Sequence, residues 1–209
     1  SVPFWVGLAT LLAAATMTIG NLSAFHQISI KRLLAWSSVG QAGYILAGLA
    51  AGVLGLKAAF FYIVVYAFMN LGAFAAAAFL SPEGSSLDGL KGLGRRSPGG
   101  AAAFAVFLLS LAGLPPLAGF WAKFFVVQSL VAVGNLALAT VMIVNSVIAF
   151  FYYLKVVKVM YFDPCSDEAD RPVVLSFFAW LALAGCFIAV VAIGVWPQYL
   201  FDLLNVVFR

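Results

Sequence analysis

Polar positions are scarce along this chain, and they cluster. Between the clusters run six apolar segments, at about 3–25, 33–54, 57–80, 101–134, 136–162 and 173–196. Each is long enough to cross a hydrocarbon core, which takes about 20 residues of helix. Backbone amides in lipid are satisfied only in helices or closed barrels, and these runs lack the alternation of barrel strands. The pattern predicts an all-α fold, a polytopic membrane helix bundle of about six transmembrane helices forming a single unit over residues 1–209. Two stretches read as polar loops, "SPEGSSLDGLKGLGRRSPGG" (81–100) and "DPCSDEADRP" (163–172).

The fourth segment is too long for one straight helix. From Ala101 to Gly134 a continuous helix would rise about 51 Å, against a core about 30 Å thick. Gly113, Pro115, Pro116 and Gly119 sit in its middle. Consecutive prolines remove backbone donors and clash with the preceding turn, so the segment is expected to be discontinuous near 113–119. Its one charge is Lys123. Counted from Gly134, that residue lies about 16 Å deep, near the membrane midplane. Two readings stand side by side. On an unbroken, tilted helix the lysine would snorkel to the headgroups. On a broken one it is buried, at a cost of at least about 2.5–3.5 kcal/mol, and such residues mark ion or proton paths. Burial penalises the ammonium form, so a lysine at depth can exchange protons, which arginine does not do.

Neighbouring segments carry polar faces. Ser37, Gln41 and Tyr44 fall at i, i+4 and i+7 of the second segment, beside Ser38. Tyr62, Tyr66 and Asn70 make a stripe on the third, and Asn145, Ser146, Tyr152 and Tyr153 lie on the fifth. Each residue alone is accounted for by interhelical hydrogen bonding, worth about 0.6 kcal/mol. Together, Ser37, Gln41, Tyr44, Tyr66, Asn70, Asn145 and Tyr152 form a candidate path of waters around Lys123. Gly48, Gly52 and Ala75 to Ala78 suit close helix packing. Trp5, Trp36, Trp180, Trp196 and Tyr199 read as interfacial anchors.

Composition agrees: 65% of the 209 residues are hydrophobic and 9% charged, where soluble domains carry about 25% charged. If the segments alternate, Lys31, Arg32, Lys91, Arg95, Arg96, Lys155, Lys158 and Arg171 fall on one side, and only Lys57 and Arg209 on the other. By the positive-inside rule, loops 26–32, 81–100 and 163–172 are cytoplasmic and both ends face outward. The net charge of +4 makes no continuous basic face, so nucleic acid is not a partner. Cys165 and Cys186 lie in a polar loop and an apolar run, which fits neither a disulfide nor a metal site. His26 reads as an interfacial loop residue. The chain opens on Ser1 without a basic region or cleavage site, so its start is not a signal peptide; it reads as part of a longer protein.

Five stretches carry a resemblance: "GNLSAFHQISIKRLLAWSSVGQAGY" (20–44), "MNLGAFAAAAFL" (69–80), "SLAGLPPLAGFWAKFFV" (110–126), "NSVIAFFYYLKVVKVMYF" (145–162) and "GVWPQ" (194–198). They resemble the antiporter-like, proton-translocating membrane subunits of respiratory complex I, NADH:quinone oxidoreductase, and subunit N in particular. The resemblance runs in order along essentially the whole chain. It implies about fourteen helices in two inverted repeats, of which this chain is similar to the last six: the second repeat plus one C-terminal helix. It also implies that Lys123 is the lysine of the second broken helix and acts as a proton relay. Where many members have a histidine, this chain has Gln41, which binds water but does not titrate. The first repeat's lysine and glutamate have no counterpart, so this chain is expected to carry half of a channel.

The resemblance further implies no cofactor on this chain, with NAD, FMN, iron–sulfur clusters and quinone in partner subunits. It implies other complex I membrane subunits and the lipid bilayer as partners, in the bacterial inner (plasma) membrane. The alternatives are a subunit of a related cation/proton antiporter or membrane-bound hydrogenase, or a structural membrane spacer without transport.

Overall fold

A computed structural model describes residues 4–81, 86–164 and 175–207. Among these the chain is helical apart from its connections: α1 (Phe4–Phe25), α2 (Ile30–Ala50), α3 (Val53–Leu80), a short 3₁₀ turn (Leu87–Leu90), α4 (Leu93–Arg96), α5 (Pro98–Ala112), α6 (Ala118–Ala132), α7 (Leu136–Phe162), α8 (Phe177–Val195) and α9 (Pro197–Val207). The helices α1, α2, α3, α7 and α8 are long and apolar enough to cross a membrane, while α5 and α6 are shorter apolar helices. The all-α membrane bundle expected from the hydropathy pattern is the fold observed.

Local chemistry sets the helix ends. Asn135 Oδ1 accepts the amide of Leu138 at 3.3 Å and caps α7, and Ser176 Oγ does the same for α8 through Ala179 at 3.3 Å. Pro98 opens α5, where its missing amide is harmless. Gly113, at φ +94°, closes that helix in the left-handed region that favours glycine.

α3 stands in the middle, packed against α2, α5, α6, α8 and α9, while α7 lies against α1 and α5. The tightest pair is α1 with α2. A Cβ on Gly20 would strike the backbone of Gly40, and one on Gly43 would strike Met17. Only hydrogen side chains let these two backbones approach so closely, as in other helix pairs built on small residues.

The structure corrects several boundaries. α2 begins at Ile30 because Leu33 N donates to Ser29 O at 2.8 Å, closing the first turn there. Lys31 and Arg32 therefore ride on that turn, exposed, and are not in a loop. α3 begins four residues earlier than the apolar pattern placed it, because Gly52 turns the chain at φ +66°. Gly52 makes no close contact, so it is a turn residue and not a packing one; Gly48 does pack, against Ala59. The 81–100 stretch is not simply a loop: Leu87, Leu90 and Leu93 are buried along its short helical turns. Ser86 is also bridged to Ser29, and Leu87 N donates to Ile28 O at 2.9 Å. α9 is a further helix, too short and mixed in polarity to stand out in the apolar pattern. Its Leu204 is buried, while Tyr199, Leu203 and Val206 stay exposed. Trp5, Trp36, Trp180 and Trp196 are on the surface, in keeping with anchors, and His26 is exposed just past α1. Cys165 and Arg171 lie outside the described residues.

Candidate functional site

A helix end leaves its last four carbonyls without intrahelical donors, and in a buried setting each needs a partner. For α5 these belong to Leu109, Ser110, Leu111 and Ala112. Gly113 N donates to Leu109 O at 3.1 Å and to Ser110 O at 2.9 Å, and Leu114 N donates to Leu109 O at 3.1 Å. The other two are met by side chains from other helices. Gln41 Nε2 donates to Leu111 O at 3.2 Å, and Lys123 Nζ donates to Ala112 O at 2.9 Å. Lys123 thus sits at the negative end of the α5 dipole, where a cation is favoured.

The opposite side of the junction is tied in the same way. Five residues separate α5 from α6, Pro115 and Pro116 among them, joined by a cis peptide bond. Ser110 Oγ accepts the amide of Gly119 at 3.1 Å in the first turn of α6, and its hydroxyl donates to Met69 Sδ at 2.9 Å. Gly119 is required here, because any Cβ would meet the Ser110 carbonyl. One buried serine therefore clamps α5 to α6 and both to α3.

Lys123 is only 8% exposed, and its ammonium lies 4.9 Å from the centre of the Tyr44 ring, a cation–π contact. Among the described residues its Nζ has no carboxylate partner. It faces a cavity of about 430 Å³ walled by Gly113, Phe120, Phe124, Ser146 and Phe150. An ammonium held by one carbonyl and one aromatic face keeps N–H groups free for water in that cavity.

Around it the polar side chains form two groups. Gln41 Oε1 accepts a 2.5 Å hydrogen bond from Tyr62, and the Tyr153 hydroxyl lies beside Ser37 and Gln41. Asn21 Nδ2 donates to Tyr44 Oη at 3.0 Å and to Asn145 Oδ1 at 3.2 Å, while Asn21 Oδ1 accepts from Tyr152 at 2.9 Å. Of the residues singled out in the sequence, Ser37, Gln41, Tyr44, Asn145 and Tyr152 are buried in these two groups. Tyr66 and Asn70, on α3, are half-buried against another flank of α2, where Ser38 Oγ donates to Leu34 O at 2.9 Å and lies 3.4 Å from the Asn70 amide, with Tyr66 beside it. Asn21, Ser110 and Thr18, whose Oγ1 accepts from Asn145 Nδ2 at 3.2 Å, escaped the sequence reading. The one signal for Asn21 was a lone amide in the apolar run "TMTIGNLSAF".

A family model described as NADH:quinone oxidoreductase/Mrp antiporter, TM, matches residues 1–149. The chain belongs to this family. Its curated relatives include NADH-quinone oxidoreductase subunit N of Paramagnetospirillum magneticum, 40% identical over 184 residues, covering 86% of this chain and 38% of the relative. Subunit N 2 of Solibacter usitatus is 44% identical over 200 residues, covering 93% and 40%. The chain thus spans about two fifths of the length of the curated relatives it matches. Among solved structures it resembles a chain of respiratory complex I from Thermus thermophilus with bound aureothin, with TM-score 0.84 and 32% identity over 95% of this chain and 45% of that one. It also resembles a chain of the Mrp complex from Dietzia sp., with TM-score 0.88 and 25% identity over 98% and 47%. Membership of this family, with its apolar helices, makes it a multi-pass protein of the bacterial inner membrane.

Proposed function

We propose that the chain forms one proton half-channel of a non-redox membrane subunit of NADH:quinone oxidoreductase, with Lys123 as the residue that binds and releases the proton. One observation carries the reading: the ammonium is buried between two helix ends, without a carboxylate among the described residues, on a carbonyl that a straight helix would have occupied. α5, the 113–117 turn and α6 act together as one discontinuous crossing, since neither helix alone is long enough to span. Gln41 supplies an amide for water and no titration, so transfer past it runs through water. Ser37, Gln41, Tyr44, Asn145 and Tyr152 line the route, with Tyr66 and Asn70 at its flank.

Electron transfer belongs to partner subunits, which hold NAD, FMN, iron–sulfur clusters and quinone.

The test is proton uptake by membrane vesicles oxidising NADH, with Lys123→Ala and Lys123→Arg in the assembled complex. Both variants are expected to lose the pumping that runs through this chain, while quinone reduction in uncoupled membranes persists. Full pumping by Lys123→Ala with normal assembly would instead mark the chain as a structural spacer. The likeness to the Mrp complex supports a second reading, a cation/proton antiporter subunit. Sodium-dependent proton movement would favour it.

A further inference from the structure

Two stretches far apart in the chain, "GFWAKF" (119–124) and "GVWPQ" (194–198), meet in space. α8 runs to Val195, so the carbonyl of Gly194 is among its last four and has no partner within the helix. In a continuous helix the amide of Gln198 would reach it. The chain turns at Trp196 instead, at φ −127° and ψ 69°, and the indole Nε1 of Trp121 donates to Gly194 O at 2.8 Å. Gly194 itself lies on the turn between α5 and α6, where a Cβ would meet Pro116 O, Leu117 Cα and Ala118 N. The last turn of α8 is thus seated on the break, backbone against backbone.

α6 thereby closes two helix ends at once. Lys123 Nζ takes Ala112 O at the end of α5, and Trp121 takes Gly194 O at the end of α8. Two residues apart is about 200° around a helix of 3.6 residues per turn, so the two side chains leave opposite sides of α6. Phe125, one turn on from Trp121, packs on Phe201 of α9 with ring centres 4.8 Å apart. Ser110 Oγ alone, on the Gly119 amide, would leave α6 free to swing and rotate about its first turn. The bond from Trp121 removes that freedom. Hydrogen bonds weaken beyond about 3.2 Å, so a swing smaller than the rise of one residue, about 1.5 Å, takes the ammonium off Ala112 O.

We infer that Trp121 and Gly194 are positioning residues for Lys123: the last turn of α8 braces α6 from the side opposite the lysine and holds its ammonium on the end of α5. The inference rests on the proton-relay reading of Lys123. Indole suits the task because its N–H only donates, so it binds a helix-end carbonyl without adding a charge beside the amine. Glycine suits the other side, because no larger residue lets α8 reach the 116–118 turn.

The experiment reads the Lys123-dependent part of proton pumping per NADH oxidised, taken as the difference from Lys123→Ala, in vesicles of the assembled complex across a pH series. Trp121→Phe keeps an aromatic ring and removes the N–H donor. It is expected to lower that pumping about threefold, roughly one hydrogen bond. It is also expected to move the pH of half-maximal pumping by about half a unit, because the amine is held differently. Loss of packing alone lowers the curve by one factor at every pH, so an unmoved midpoint overturns the inference, as does unchanged pumping. Gly194→Ala pushes a methyl into the 116–118 turn and is expected to cost more. The double variant should match Gly194→Ala, whose carbonyl has already left the indole; losses that multiply count against the inference. If Gly194→Ala fails to assemble, Trp121→Phe decides alone. Trp196→Phe changes an exposed ring at the same corner and is expected to pump normally; a loss equal to that of Trp121→Phe defeats the inference. Normal pumping by Lys123→Ala sinks the underlying reading. Loss in Lys123→Ala with Trp121→Phe unaffected sinks this inference alone.

Discussion

Lys123 and Lys91 are the same side chain in opposite settings. Lys91 lies beyond α3, next to the short turn Leu87–Leu90, and forms a 2.6 Å ion pair with Asp88. Both partners are open to water, with side chains 39% and 77% exposed. Such pairs contribute little, because water and salt screen them. Lys123 has no counter-charge among the described residues and is held by a helix-end carbonyl and a tyrosine face. The comparison separates charge kept for solubility from charge kept at a cost. Ionisable side chains at membrane depth are rare and mark candidate ion or proton paths, which is the role proposed for Lys123.

The strongest way to break that comparison is to remove each amine in turn. Lys123→Met is expected to remove the pumping that runs through this chain, whereas Lys91→Met is expected to leave it unchanged; equal losses in vesicle assays would dissolve the distinction. Next in size is Gly43→Leu, which drives a side chain into the Met17 backbone. It should cost about 3 kcal/mol or more and show as loss of the assembled complex on native gels. Ser110→Ala strips the Gly119 amide of its partner at the α5–α6 junction. We expect about 1–2 kcal/mol, seen as a lower melting midpoint in detergent, together with weaker pumping.

The smallest effect belongs to the exposed pair. The hydrogen bond from Lys91, and then its charge, hold the Asp88 carboxyl below its ordinary range; the same bond and charge hold the Lys91 ammonium above its own. The Asp88 contribution is present above the free carboxylate value, about 4, and is lost as pH falls through the lowered one. The Lys91 contribution is present below about 10.4 and is lost as pH rises through the raised value. Asp88→Asn should therefore lower the melting midpoint only slightly at neutral pH and leave it unchanged in acid, where the wild-type carboxyl is itself protonated. A clear shift at pH 7 would show that this surface pair carries more than its solvation allows.

Much of the bundle was legible because lipid imposes one rule on every crossing: a long apolar run with its backbone satisfied internally. What escaped that rule was short or mixed. α9 packs only part of its surface, and the turns after α3 bury leucines that a polar average conceals. In the site, Ser37, Gln41 and Tyr44 were visible as a helical face. Asn21 and Ser110 were not, since a lone polar residue in an apolar helix carries no sign of which neighbour it meets.

By itself the sequence determined the all-helical membrane class, the spacing of the apolar segments, the doubled proline beside Lys123 and the family motifs. Hydropathy and chain stiffness act along the chain, so they are written in its order. Tertiary structure decided that Gln41 and Lys123 end on the last two carbonyls of α5, that Ser110 binds α5 to α6, and that Asn21 faces Tyr44. Those partners lie up to 70 positions apart, and only packing of the helices brings donor to acceptor.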